Sequence, residues 1–329
     1  MKTLLFFSLL SFKLICCDDI NLYTDKDFNT KIKHQGDMHT CYAHSLSALY
    51  EKDEIHPYWI AFTHKDRLLH WTPHNLNFSL LSWSYSDVKK RGLCDKNLID
   101  DSIKEALNGI EYSNDQFFYF LQSYFLKEKD PKKLESFLKK NSHDFSKNWN
   151  SHEINELVST IEKSNDEKLF DYLENNIFKR CQNNKNISGK LHSTARAFES
   201  NTKLAKVING KLKNLKPLSI GLCAKKTYKK SSAYNKNLKP RILKAASSKC
   251  GAHYVNIVGS RKKDNTCEYL IRNSYKNKWA HKKFECFCQD KNGEKFNCKT
   301  SSIEKGTKIL GCWISKERIL NNTYDLSYF

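Results

Sequence analysis

The chain has 329 residues, 39% of them hydrophobic and 28% charged, which suits one large domain or two lobes and excludes a disordered chain. Its net charge of +20 is carried mostly by Lys spread along the sequence and reads first as solvated faces of a Lys- and Asn-rich chain, attraction to an anionic surface being the alternative. No nucleic-acid-binding motif accompanies the charge, so a specific nucleic-acid partner is not expected.

The first element, MKTLLFFSLLSFKLICCDD, carries one early Lys, an apolar run from Leu4 to Phe12, and acidic residues directly after. The run is too short to cross a bilayer and fits a secretory signal over residues 1–17. Leu14-Ile15-Cys16-Cys17 loosely resembles a lipoprotein cleavage box, so a lipid anchor at Cys16 or Cys17 is the less favoured alternative to a secreted or periplasmic protein. Residues 18–34 are short and polar. A helix is expected from Cys41, with Tyr42, Leu46, Leu49 and Tyr50 on one face and Thr40 as N-cap. Aromatic segments fill 56–110 (HPYWIAF, LLHW, FSLLSW), with a helix over Leu98 to Leu107. Residues 112–190 change texture: helix-like runs follow one another and no glycine occurs until Gly189. From Pro217 onward PLSIGLC, HYVNIVGS, CEYLIRNS and LGCWIS read as strands. The division is therefore a helical lobe over 18–111, a helical insertion over 112–190, and a β-rich lobe over 191–329.

Ten cysteines lie beyond the signal, a density that favours disulfides in an exported protein. Setting Cys41 aside leaves an odd number. Cys223, which ends one strand, is expected to pair with Cys250, and Cys267 with one of Cys286, Cys288 or Cys298. Zinc on Cys286, Cys288 and Cys298 is the rival reading, disfavoured by the tight C-x-C spacing.

Cys41 is the most informative residue. HYVNIVGS and CEYLIRNS form a hairpin around RKKDN, and pairing Ser260 with Thr266 sets His253 opposite Asn273. An Asn amide there can hold the imidazole in one tautomer. A thiol in the first turn of a helix is favoured as thiolate, and a neighbouring imidazolium favours it further. Cys41 would attack, His253 would shuttle the proton, and Asn273 would orient His253. Gln35, six residues upstream, would donate to a developing oxyanion beside the Cys41 N–H, with Gly36 allowing close approach.

QGDMHTCYA resembles the nucleophile segment of papain-like cysteine peptidases, Q-G-x-C-G-S-C-W-A, with the same Gln-to-Cys spacing. HYVNIVG resembles that family's H-A-V-x-x-V-G, and NSYKNKWA its N-S-W-G-x-x-W-G, matching at Asn273, Ser274 and Trp279. The resemblance implies an α+β, papain-like two-lobe fold, one lobe helical and one β-barrel-like, with a helical insertion. It also implies hydrolysis of peptide or protein substrates through a thioester, with no cofactor and no metal. The family's His lies roughly 130 residues past its Cys; here 212 residues separate them, and the segment 112–190 accounts for the surplus.

Departures are specific. Met38 replaces the family's Cys, His39-Thr40 its Gly-Ser, and Tyr275 its Trp, while no Gly-Gly segment lines a substrate backbone. About 17 residues between signal and Gln35 leave no room for a long inhibitory propeptide. His39 and His44 flank Cys41 and invite a metal reading, but His44, one turn along the helix, reads rather as a packed or surface residue. A catalytically weakened binding protein acting through its basic surface is the alternative function. Nothing in the sequence sets an oligomeric state.

Overall fold

A computed structural model describes residues 17–26, 28, 40–50, 55–63, 81–94, 96–141, 149–181, 191–193, 200–224, 251–274, 284–299, 303–304 and 306–329. The chain enters as a two-residue strand, β1 (Ile20–Asn21), and a single turn, α1 (Leu22–Asp25). Helices follow: α2 (Cys41–Leu49), α3 (Pro57–Thr63), α4 (Leu81–Arg91) and α5 (Lys96–Leu107). Next come α6 (Asn114–Leu126), α7 (Pro131–Asn141), α8 (Ser151–Lys163) and α9 (Leu169–Tyr172). The three runs of the expected insertion are thus helical. Local chemistry explains where they start. Ser113 and Gln116 close a capping box on α6, Gln116 N donating to Ser113 Oγ and Ser113 N to Gln116 Oε1. Asn150 caps α8 through His152 N.

These helices do not form a separate body. One apolar core runs from Cys41 and Leu46 through Trp59, Ile99 and Phe118 to Leu157 and Phe178. The nucleophile helix and residues 112–181 therefore bury their faces against each other, and the Cys94–Cys181 disulfide closes the segment.

Beyond β2 (His192–Ser193) and α10 (Asn201–Lys213) the chain turns to strands: β3 (Leu218–Cys223), β4 (Ala252–Lys263), β5 (Thr266–Arg272), β6 (Glu285–Gln289) and β7 (Lys295–Lys299). β8 (Lys308–Ser315), α11 (Lys316–Asn322) and β9 (Thr323–Tyr328) complete it. Among the described residues the sheet is antiparallel along the path β2-β9-β3-β4-β5-β8-β6-β7, with β1 on β4. A mixed α+β fold results, helical first and sheet last. The expected ring closure into a barrel is not present among those strands.

The β4–β5 hairpin differs from its expected register. Lys263 pairs with Thr266 and Ser260 with Tyr269, because the turn is only Asp264-Asn265, both at positive φ (46° and 60°). Two left-handed residues make the tight turn whose twist matches the flanking strands, so RKKDN is mostly strand rather than loop. A bulge between Ile257 and Gly259 then shifts the ladder by one residue.

Two cysteine expectations are corrected. Cys267 bonds Cys17, not a cysteine of the β6–β7 hairpin, and Cys17 thereby supplies the partner the odd count lacked. That sulfur has no bond left for a lipid. Cys286–Cys312 and Cys288–Cys298 are disulfides, so the sulfurs considered for zinc are engaged. Cys223 is also disulfide-bonded; its expected partner Cys250 lies outside the described residues.

The segment after Cys17 is sewn to the sheet. Ser260 Oγ donates to Asp18 O (2.7 Å), Lys262 N to Asp19 Oδ1 (2.8 Å), and buried Tyr23 Oη to Leu310 O (2.8 Å). Gly259 permits this approach, since a Cβ there would stand 2.6 Å from Ile20 O and 3.2 Å from Leu270 Cβ. Gly259→Ala is expected to cost about 1–3 kcal/mol by overpacking and to expose residues 17–26 to protease, read by urea unfolding and limited proteolysis.

Arg261 joins Glu268 (2.7 Å) and Glu285 (2.9 Å) and lies over the Trp313 ring, while Lys263 also pairs with Glu285. The Arg261 hydrogen bond leads in pulling the Glu285 carboxyl down from 4.5 to about 2, against partial burial. A carboxylate with a depressed folded-state value stabilises above its unfolded value and loses that contribution as pH falls through the folded one. Glu285→Gln should therefore lower the melting temperature near neutral pH, the gap closing between about pH 4.5 and 2. A gap that persists at the acid end would contradict the assignment.

Candidate active site

Cys41 begins α2, a helix free of glycine and proline and buried on nearly every side from Cys41 to Leu46. Thr40 occupies the N-cap position, but its hydroxyl makes no cap hydrogen bond. The Cys41 and Tyr42 backbone groups of this first turn instead lie at the Cys41 sulfur. α2 is seated on the sheet by polar contacts in the middle of its length. Ser45 Oγ meets Ser219 Oγ at 2.6 Å, and Asn256 Nδ2 donates to Ser45 O at 3.0 Å; all three residues are buried.

On the sheet side, His253 is the second residue of β4, and Asn273 directly follows β5. His253 Nε2 lies 2.8 Å from Asn273 Oδ1, both side chains buried. The contact exists despite the changed register. The β4–β5 ladder stops at Asn256 and Arg272, leaving both residues past its end, while His253 keeps its place opposite Leu222 in the β3–β4 ladder. An amide oxygen on Nε2 requires a proton there, which leaves Nδ1 as the nitrogen able to accept one.

Cys41 meets this strand one residue along: the Tyr254 backbone N–H faces its sulfur. Burial pushes the Cys41 thiol up to about 11; the Tyr254, Tyr42 and Cys41 backbone groups pull the other way without overcoming it. The Tyr42 and Tyr324 phenols feel the sulfur's charge, and they and the Tyr254 phenol are each held protonated mainly by burial. Tyr324 Oη also lies at the His253 backbone N–H.

Gln35, Gly36, His39, Tyr275 and Trp279 lie outside the described residues. His44 is buried with its ring edge-on to Tyr58, centroids 5.8 Å apart, the packed rather than the surface placement. Among the described residues no group of three His, Cys, Asp or Glu is arranged to hold a metal, and no helix is long and apolar enough to cross a membrane.

Ser45, Asn256, Tyr254 and Asp325 escaped the sequence reading. Tyr254 left a signal, standing where the family strand has Ala. Asp325 left none, because a lone Asp near the end of the chain reads as surface.

A model of the papain family of cysteine proteases matches residues 139–306, just over half of the chain, and the chain belongs to that family. No curated protein matches it. The matched span contains His253 and Asn273 and begins beyond Cys41, whose case rests on its motif and its place at the head of α2.

Proposed function

We propose that the protein is an exported cysteine endopeptidase working through Cys41, His253 and Asn273, with Gln35 in the oxyanion hole. The observation carrying this is the 2.8 Å His253–Asn273 contact beside a helix that begins at a reduced Cys41. Asn273 holds the imidazole so that Nδ1 takes the Cys41 proton, giving a thiolate–imidazolium pair. The thiolate adds to a peptide carbonyl, forming the S–C bond, and the oxyanion is met by the Cys41 N–H and the Gln35 amide. His253 returns the proton to the leaving amine as the C–N bond breaks, and water, deprotonated by His253, releases the acyl group from the thioester. Disulfides at Cys17, Cys94, Cys286 and Cys288 support an oxidising compartment.

Incubation with a peptidyl epoxide at neutral pH, followed by mass spectrometry, tests the reading: Cys41 should carry the adduct. Without the imidazolium the thiol keeps its burial-raised value of about 11, a thiolate fraction on the order of one in ten thousand at pH 7. Labelling in His253→Ala should therefore vanish at pH 7 and return only in strong alkali. Equal labelling of both proteins would remove the general base. Asn273→Ala should slow peptide hydrolysis by about ten- to hundredfold through a misplaced imidazole, with little change in melting temperature. An unaltered rate would deny Asn273 its role.

A further inference from the structure

Asp325 is a fully buried carboxylate that the proposed chemistry does not use. It receives a 2.6 Å hydrogen bond from Tyr254 Oη, and Tyr254 is the residue directly after His253. The register explains how they meet. Gly221 on β3 pairs with Tyr254 on β4 from one side and with Asp325 on β9 from the other. With no side chain on the middle strand, the Tyr254 ring is long enough to reach the carboxylate across it. A Cβ on Gly221 would overlap the Tyr324 ring and stand 3.1 Å from the Asp325 Cβ. A bulge in β9 at this point makes Thr323 to Asp325 face only Leu222 and Gly221, and so brings Tyr324 and Asp325 to the same row.

Tyr254 is thereby fixed at several points. Its backbone lies in the β3–β4 ladder, its phenol donates to Asp325, and the same oxygen faces the Leu81 N–H at the start of α4. The remaining backbone N–H faces the Cys41 sulfur. We propose that Tyr254 and Asp325 are positioning residues that hold the Tyr254 N–H against the Cys41 sulfur, so that it stabilises the thiolate as it forms. This rests on the peptidase reading. It adds a third hydrogen-bond donor to the sulfur's surroundings, supplied by the His-bearing strand and set by a carboxylate two strands away. The phenol stays protonated because burial, and then the Asp325 charge, oppose its ionisation, so it remains a donor across the working pH range.

The test is the pH dependence of Cys41 alkylation by iodoacetamide, in which the thiolate sulfur displaces iodide and one S–C bond replaces one C–I bond. Tyr254→Phe and Asp325→Ala should move the inflection up by about one pH unit, a tenfold loss of rate below it. Asp325→Asn keeps an acceptor for the phenol and should recover most of that loss. Gly221→Ala, which touches neither sulfur nor imidazole, should shift the profile in the same direction. Folded Phe and Ala variants with the wild-type profile would overturn the proposal, and so would an Asn variant as impaired as the Ala, which would make the effect one of charge.

Wild-type protein gives a reading that needs no variant. Capping the sulfur should speed deuterium exchange at the Tyr254 amide by about tenfold, since a thioether is a much weaker acceptor than a thiolate; unchanged exchange would overturn the contact. If wild-type Cys41 is not alkylated in a His253-dependent way, the peptidase reading itself fails. A wild-type profile of the expected form with unmoved variants removes only the positioning role.

Discussion

The seating of α2 on the sheet is the constraint on which the candidate site depends. A nucleophile on one lobe and a base on the other can cooperate only if the joint between them is fixed to a fraction of an ångström. Here the joint is polar and buried: Ser45 offers its hydroxyl to Ser219 on β3 and its carbonyl to Asn256 on β4. Buried polar groups of this kind are directional. Each is costly to leave without its partner, so sliding the helix along the sheet is penalised more sharply than sliding an apolar face would be. Cys41 lies one turn up the helix from Ser45, and His253 three residues up the strand from Asn256, so the same contacts fix the heights of the two residues relative to each other.

β4 makes this possible by serving two cores at once. Val255 and Ile257 pack with Leu204, Ile208 and Leu326 in the core of the sheet lobe, while Tyr254 packs with Cys41 and Tyr324 in the helical core. The strand's period of two thus places an apolar anchor and a site residue alternately along four positions. β4 takes β1 on Gly259 and Ser260 at its other end, so the segment after Cys17 braces the same strand that carries His253. Fold and site are linked through one strand and one helix.

Much of this was legible in the chain because the chemistry is written in short, local patterns. The helix from Cys41 and the four strands read from β-branched runs needed only periodicity and composition. The sequence brings His253 and Asn273 together through a hairpin register that differs from the observed one by three residues, because RKKDN reads as a five-residue charged loop while Asp264-Asn265 alone makes the turn. The pairing survives because both residues lie past the end of the β4–β5 ladder, where side-chain reach rather than that ladder's register decides. β6, β7 and β9 were not legible: Lys, Asn and Cys dominate the first two, and TYDLSY mixes turn formers with aromatics. Cys17 was assigned to the signal by hydropathy, and only the tertiary structure brings it to Cys267. Asp325 and Tyr254 are more than seventy residues apart and meet over a glycine, a relation that no local pattern carries.

The central claim is that Cys41 and His253 form one ion pair rather than two independent groups. In such a pair each group's proton affinity depends on the state of the other. The most direct measurement is an NMR titration of the His253 imidazole with Cys41 free and again with Cys41 carboxamidomethylated. The account predicts that the imidazolium persists to higher pH while the sulfur can carry charge, and is lost at lower pH once the sulfur is capped. Superimposable titration curves would contradict it.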